Sequence, residues 1–459
     1  MTTRRDLFTS LPLAAAAASL AIPATAHAAP ATPGITSPDG RLPLNRQRAT
    51  RLMKAAGLDA LIGALDVNAR YLTNFDSLIA RMGPPRRLIG ILPADPDQPV
   101  IAVMPGMEIG RNTTPGRQWP QIVTYSLPAD AEPFRSLERL GPGDEVPSLG
   151  GRRRPGNTPD NPALTAIERA WAENERTLPT ADAATAELAV RKVLANLGLT
   201  RARIGIDDAD LAAGLARAGL AELQAVPAEN LFLRIRQVKS EVEIARMRRV
   251  SALNSAAARA TMAAFQKGMT TQDIEALFMA EVARRGGKPI FIVAGMVSGL
   301  RHGELVAHEP LLVDCVASFD GYVGDFARTA VLGTPPPILE KRARLTGQLA
   351  QELTATLRPG QLYSEIRSRG QAMLKKMGGD FAMGVGPHSV GMQHSEDPSR
   401  DDLPFEARED VRLEAGMVIT VDLPTLEPGW GSMHMESLIL IKPDGAEWMD
   451  LIDDPLYEV

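Results

Sequence analysis

The sequence has one cysteine, no excess of positive charge and no late apolar run long enough to span a bilayer. A single Cys excludes an intrachain disulfide framework and a Cys-based zinc site. Fifty Lys and Arg against 55 Asp and Glu give a formal charge of −5. That balance argues against a nucleic-acid-binding surface, because no basic excess exists to neutralise phosphates. Histidine is scarce and unevenly placed: His27, His302, His308, His388, His394 and His434, with none between residues 28 and 301. Imidazole chemistry is thereby confined to the C-terminal part. What is present, 44% apolar and 23% charged residues, is the composition of a soluble globular protein. At 459 residues the chain exceeds one ordinary core, so two domains of about 150–250 residues are expected.

The first residues read as an address. A basic start with Arg4-Arg5 is followed by an Ala-rich apolar run from Leu11 to Ile22 and by Ala26-His27-Ala28, a small-x-small cleavage pattern. Arg4-Arg5-Asp6-Leu7-Phe8 looks like a twin-arginine export signal. The run is too short, and too broken by Pro, for a spanning helix of about 20 residues. Residues 1–28 are therefore expected to be removed, leaving a periplasmic or secreted protein with no membrane segment. Cleavage takes one net positive charge with it. Residues 29–41 are Pro-, Gly- and Ala-rich and read as a flexible lead-in.

From Leu42 to residue 230 the pattern is alternating α/β. Asn45 is placed to cap a helix that stops at Gly57. Strands are expected at Leu58–Leu65, Leu88–Leu92, Val100–Met104 and Arg203–Asp207, with a helix from Thr180 to Leu197. The Gly- and Pro-rich stretch 141–162, with Arg152-Arg153-Arg154, reads as a surface loop. A junction near Leu231–Lys239 opens a second domain, 231–459. Ser240 and Glu243 form a capping box, and Thr270 with Asp273 a second one. Ile274, Leu277, Phe278 and Val282 fall on one helical face. Strands follow near 289–294, 311–317 and 322–331. Helices follow from Pro337 to about Thr356 and from Tyr363 to Lys376, and then strands return.

The chemistry lies in this second half. Leu311-Leu312-Val313-Asp314 is a buried-strand pattern that runs into a charge, and Tyr322-Val323-Gly324-Asp325 is another. Asp320-Gly321 between them is a tight-turn dipeptide. A two-residue turn there sets Asp325 opposite Val316, two residues from Asp314. Both carboxylates then project from one face of the ribbon. Close carboxylates in an apolar sheet repel and are costly to bury, and a divalent cation is the simplest compensation. Taken alone, a pair of solvated edge carboxylates remains an equal reading. Three later segments shift the balance: Gly386-Pro387-His388 with His394 six residues on, the strand Leu413–Asp422, and Met433-His434-Met435-Glu436 leading into Ser437–Ile441. Four acidic strand positions with one His suit Mn²⁺, Co²⁺ or Zn²⁺ better than a thiolate-preferring ion.

This series resembles the pita-bread metallopeptidases, the family of aminopeptidase P, prolidase, methionine aminopeptidase and creatinase. Their ligands are Asp, Asp, His, Glu and Glu in chain order, and the matching positions are Asp314, Asp325, His388, Asp422 and Glu436. Gly321–Asp325 followed by Arg328-Thr329 is similar to the second-ligand segment, Leu413–Val418 to the approach to the fourth ligand, and Leu233-Arg234 to Ile244 to the domain entry. The likeness covers about residues 230–459. Residues 42–226 resemble the creatinase/prolidase N-terminal domain more weakly, through Gly57–Leu61 and Tyr71-Leu72-Thr73. The resemblance thus implies an α/β chain, with a creatinase-like α/β domain at 42–230 and a pita-bread (α+β) catalytic domain at 231–459. The extra N-terminal domain disfavours a methionine-aminopeptidase type.

By the same resemblance, two divalent ions share a bridging water or hydroxide, which attacks a polarised carbonyl. Asp314 would chelate one ion and His388 the other, while Asp325 and Glu436 bridge both. Asp422 would ligate and act as general base. His302 corresponds to a substrate-side His, and His394 to a donor toward the substrate or the tetrahedral intermediate. His308 is a competitor for the place of His302. The implied activity is removal of the N-terminal residue from Xaa-Pro peptides or dipeptides, by a homodimer as in relatives. A creatinase-like hydrolase or lyase acting on small C–N or C–S substrates, or a silent binding protein, is the alternative.

Two positions depart from the family pattern. Asp422 stands where the family has Glu, and one missing methylene withdraws the carboxylate by roughly 1.5 Å, against a metal-bond tolerance of roughly 0.2 Å. His434 stands where peptidases often have Arg. Cys315 follows the first ligand and is expected to pack on the opposite face.

Overall fold

The computed structural model describes residues 42–83, 87–113, 119–126, 140–147, 160–177, 182–295, 303–403, 405–450 and 454–459. The leader, the lead-in, the Arg152–Arg154 triplet and His302 lie outside them. Residues 37–459 make one compact unit. Among the described residues no helix is long and apolar enough to cross a membrane.

Six strands come from the N-terminal half: β1 (Ala60–Gly63), β2 (Ile89–Pro93), β3 (Ile101–Pro105), β4 (Gln121–Tyr125), β5 (Arg203–Ile206) and β6 (Gln224–Pro227). They form one mixed sheet in the order β4-β3-β2-β1-β5-β6. Successive residues of β1 face opposite ways. Ile62 packs with Ile91, Val103, Leu194 and Ile204 on one side. Leu61 packs with Tyr71, Leu92, Phe232 and Ile235 on the other. The centre of the sheet is thus covered on both faces, which is why β1, β2 and β3 are short apolar runs without alternation. The first helix, Arg46–Ala55, has the expected Asn45 cap on the Arg48 amide, and Gly57 beyond it adopts φ 62°.

The C-terminal half supplies β7 (Lys288–Ala294), β8 (Leu311–Phe319), β9 (Tyr322–Val331), β10 (Gly386–Ser389), β11 (Val418–Asp422), β12 (Thr425–Glu427), β13 (Gly431–Met433), β14 (Glu436–Ser437), β15 (Ile439–Lys442), β16 (Gly445–Trp448) and β17 (Leu456–Glu458). One sheet runs β14-β9-β8-β7, with β17 also on β9, and a second runs β10-β11-β15-β16. Helices Glu241–Met262 and Thr271–Arg284 bury Ala257, Met262 and Phe278 against Cys315 and Phe326 on the outer face of the first sheet. Helices Pro337–Ala355 and Tyr363–Lys376 bury Leu349, Leu353 and Ile366 against Ile419, Val421, Ile439 and Ile441 of the second. The opposite faces meet each other, with Val316 and Val323 of the first sheet in one cluster with Val418, Leu438 and Leu440. Helices therefore occupy both outsides, and the interior lies between the sheets.

Both capping boxes form. Glu243 also accepts from the Tyr322 hydroxyl at 3.2 Å, tying its helix to the start of β9. Three expected strands are clearly shorter in the structure. Leu58–Leu65 is extended only at Ala60–Gly63. Leu413–Asp422 is extended only from Val418, because Gly416 turns the chain at φ 91°. The run expected from Ser437 to Ile441 is cut at Leu438, where the chain leaves the first sheet and joins the second.

Candidate metal centre

The hairpin β8–β9 places the first two carboxylates. Asp320 and Gly321 both adopt positive φ, 48° and 84°, the geometry of a two-residue turn that matches strand twist. Phe319 then pairs with Tyr322 and Val316 with Asp325, with no shift along the ladder. Ala327 lies opposite Asp314 on one side and opposite Glu436 on the other. Asp325 is two residues before Ala327. Asp314, Asp325 and Glu436 therefore project from one face around a methyl-sized floor. The second sheet repeats the device: Gly386 pairs with Asp422, and His388 follows Gly386 by two. Its donors face the same interior. Cys315, alternating with Asp314, is buried in the outer core and contributes packing.

These donors converge in three groups of three whose ligand atoms lie within 4.8 Å of one another: Asp325, His388 and His394; Asp314, His434 and Glu436; and His388, Asp422 and Glu436. His388 Nε2 stands 3.2 Å from Glu436 Oε1 and 3.8 Å from Asp325 Oδ2. His394 Nε2 stands 3.1 Å from Asp325 Oδ2. These approaches lack hydrogen-bond alignment. Among the described residues, Asp314 Oδ1, both Asp325 oxygens and Glu436 Oε1 are buried without a hydrogen-bond partner. Such atoms are costly in a protein interior.

The electrostatics follow from crowding. Burial, reinforced by Glu436, pushes Asp314 up to about 7. Burial, with Asp325 and Asp422 adding to it, pushes Glu436 up to about 7. Burial raises the Asp325 carboxyl as well. Burial opposes the charged forms of His388 and His434, yet their carboxylates prevail, holding His388 up at about 10 through Glu436 and His434 up at about 9 through Asp422. Burial also works to raise Asp422, but the adjacent His434 holds it below its usual value. The Asp325 carboxylate raises His394. Three carboxylates with unpartnered buried oxygens, and Asp422 beside them, fit divalent cations, and the mixed carboxylate–imidazole donors fit Mn²⁺, Co²⁺ or Zn²⁺.

All five residues matched to the family ligands thus converge, and His394 joins them at the mouth, with its side chain 40% exposed and its ring edge-on to Phe291 at 5.3 Å. His308 does not take part. Its Nδ1 lies 2.8 Å from the Thr334 carbonyl oxygen, and it belongs to none of the donor groups. The spacing of residues had no way to show what holds the site in place. Arg328 donates to the Glu436 carbonyl at 2.7 Å and to Ser437 Oγ at 3.1 Å. Glu396 accepts from the Met392 amide at 2.9 Å and clamps the loop that carries His394. Arg328 lies in a familiar motif, but its partners are more than a hundred residues away, and the cations that face Glu396, Arg236 and Lys239, are as remote.

Sheets paired across an interior lined with carboxylate and imidazole donors define a class. Residues 245–443 match the model of metallopeptidase family M24. The match spans less than half of the chain and gives the second half its likeness to this family of pita-bread metallopeptidases. Among relatives, the Xaa-Pro dipeptidase of Pyrococcus furiosus is 26% identical over 228 residues, 47% of this chain and 63% of its own length. The methionine aminopeptidase of Aquifex aeolicus is 26% identical over 215 residues, 42% of this chain and 83% of its own. The chain thus spans less than two thirds of the Pyrococcus furiosus relative. The solved fold reaches further. The Xaa-Pro dipeptidase of Bacillus anthracis superposes with a TM-score of 0.64 at 16% identity, covering 90% of this chain and 99% of that one. The dipeptidase of Pyrococcus horikoshii gives 0.63 at 17% identity, covering 90% and 99%. These structures carry an N-terminal half as well, so the likeness extends over both halves of the fold.

Proposed function

We propose that the protein is a metal-dependent peptidase that removes the N-terminal residue from Xaa-Pro peptides or dipeptides. The observation that carries this is the set of buried carboxylate oxygens without partners on Asp314, Asp325 and Glu436, facing His388 and Asp422. Asp314, Asp325, His388, Asp422 and Glu436 would hold two divalent ions. When bound, such ions supply an acidified water as nucleophile and polarise the scissile carbonyl. Asp422, 28% exposed where Asp325 and Glu436 are buried, takes up the proton as general base. His394, at the mouth beside Asp325, donates to the oxygen on which charge develops. Phe291 fixes its ring from the side. His302 stays assigned to the substrate side.

Residues 1–28 are proposed to be a twin-arginine signal that delivers the protein to the periplasm or the medium, and the mature chain to be a homodimer. Mass spectrometry of the exported protein is expected to give an N-terminus at Ala29, and sedimentation to give twice the mature mass.

The deciding experiment is hydrolysis of an Xaa-Pro peptide series by the full chain loaded with Mn²⁺, Co²⁺ or Zn²⁺. Cleavage is expected with metal, and Asp325→Asn is expected to abolish it. Metal-free protein that turns over creatine-like or sulfonium substrates and ignores proline peptides would replace this reading with the creatinase-like one.

A further inference from the structure

We propose that His434 is itself a metal ligand, seated against the short carboxylate at Asp422 and joining Asp314 and Glu436. The assignment rests on the metal-dependent reading above, since it requires a divalent ion. It goes beyond the five family-matched ligands, which include only one imidazole.

The ring is buried, with Nε2 directed among acidic groups. It contacts Asp422 Oδ1 and stands 3.6 Å from Glu436 Oε2. Its donor atom also closes a group with Asp314 and Glu436 inside 4.8 Å. Among the described residues the buried Nδ1 has no hydrogen-bond partner, so there the ring meets its acidic neighbours through Nε2. The backbone is pinned to keep it there. The His434 amide donates to Thr329 Oγ1 at 3.1 Å, and that hydroxyl lies 3.4 Å from the His434 carbonyl oxygen. Thr329 sits on β9, four residues past Asp325, so the strand that carries one ligand also fixes this ring.

The two departures from the family pattern therefore meet at one point. An Arg at 434 has no lone pair to offer a metal, whereas a neutral imidazole has one. An Asp at 422 reaches roughly 1.5 Å less than a Glu. His388 already stands beside Asp422 and Glu436, and the change at 434 adds a second nitrogen donor beside Asp314 and Glu436. Exchanging an oxygen-only set at Asp314 for one with nitrogen shifts preference from Mn²⁺ toward Co²⁺ and Zn²⁺.

The test counts imidazole ligands on the full chain loaded with Co²⁺. Each ligating ring gives a strongly shifted N–H proton signal in H₂O that disappears in D₂O. The wild type is expected to show signals from both His388 and His434, and His434→Gln to lack one of them. The double variant Asp422→Glu/His434→Arg restores the family's donor set. It is expected to bind two Co²⁺ per chain by elemental analysis, again with one signal fewer than the wild type. Circular dichroism checks that both variants fold. If the double variant keeps every wild-type signal, His434 is only a hydrogen-bond partner of Asp422 and the assignment falls. If the wild type binds no divalent ion, the metal-dependent reading falls with it.

Discussion

Glu396 is 1% exposed and accepts from Arg236 Nε at 3.0 Å and Lys239 Nζ at 3.1 Å. It also accepts from the Met392 and Gln393 amides at 2.9 and 3.3 Å. Gly391 lies so close that a Cβ there would overlap this carboxylate. Burial pushes Glu396 up, but Arg236 and Lys239 prevail and hold it below the ordinary range. Removing one partner of a buried pair leaves the others uncompensated, at about 3–5 kcal/mol. Glu396→Gln is accordingly expected to destabilise the protein by about that amount in urea unfolding. It should also loosen the loop that carries His394, raising KM for peptide. An unfolding midpoint equal to wild type would remove Glu396 from this role.

At the scale of elements, Asp207 joins three of them. It follows β5 directly and accepts from the Ala64 amide at 2.7 Å, just after β1. It also accepts from Asn68 Nδ2 at 2.8 Å, in the helix Asp66–Thr73. Burial outweighs these bonds and raises the carboxyl to about 6. Below about pH 4 the group is protonated in both folded and unfolded chains. Between there and about 6 the unfolded chain releases the proton while the folded one keeps it, so stability falls as pH rises. Above that window no further change follows from this group. The Tm of Asp207→Asn is therefore expected to depend less on pH between about 4 and 6 than that of wild type. Parallel profiles would show that Asp207 does not titrate there.

For the whole molecule, the centre joins two sheets that share no strand, so its occupancy is coupled to the stability of the C-terminal half. A ligand that binds only the folded state adds about 2.7 kcal/mol at a concentration of 100 times its Kd. Tm is expected to rise with added Mn²⁺, Co²⁺ or Zn²⁺, to fall again with chelator, and to stay flat in Asp325→Asn. Wild-type Tm that ignores all three ions would contradict the assignment of these carboxylates.

The hairpin was legible because everything it needed was local. Asp320-Gly321 selects the turn, the turn sets the register, and a period of two sends Asp314 and Asp325 to one side. The helix caps at Asn45, Ser240 and Thr270 were readable for the same reason, since each bond spans three residues. The order of acidic strand positions and His388 was enough to mark the kind of site. The sequence pattern did not reveal the break at Leu438, because apolar residues serve equally well in either sheet. Nor did it reveal where His434 points. Its neighbours Asp422 and Asp314 are 12 and 120 residues away in the chain, and only the meeting of the two sheets brings them within reach. Local bonds can be read along the chain, whereas a centre shared by separate sheets is set by how their buried faces pack.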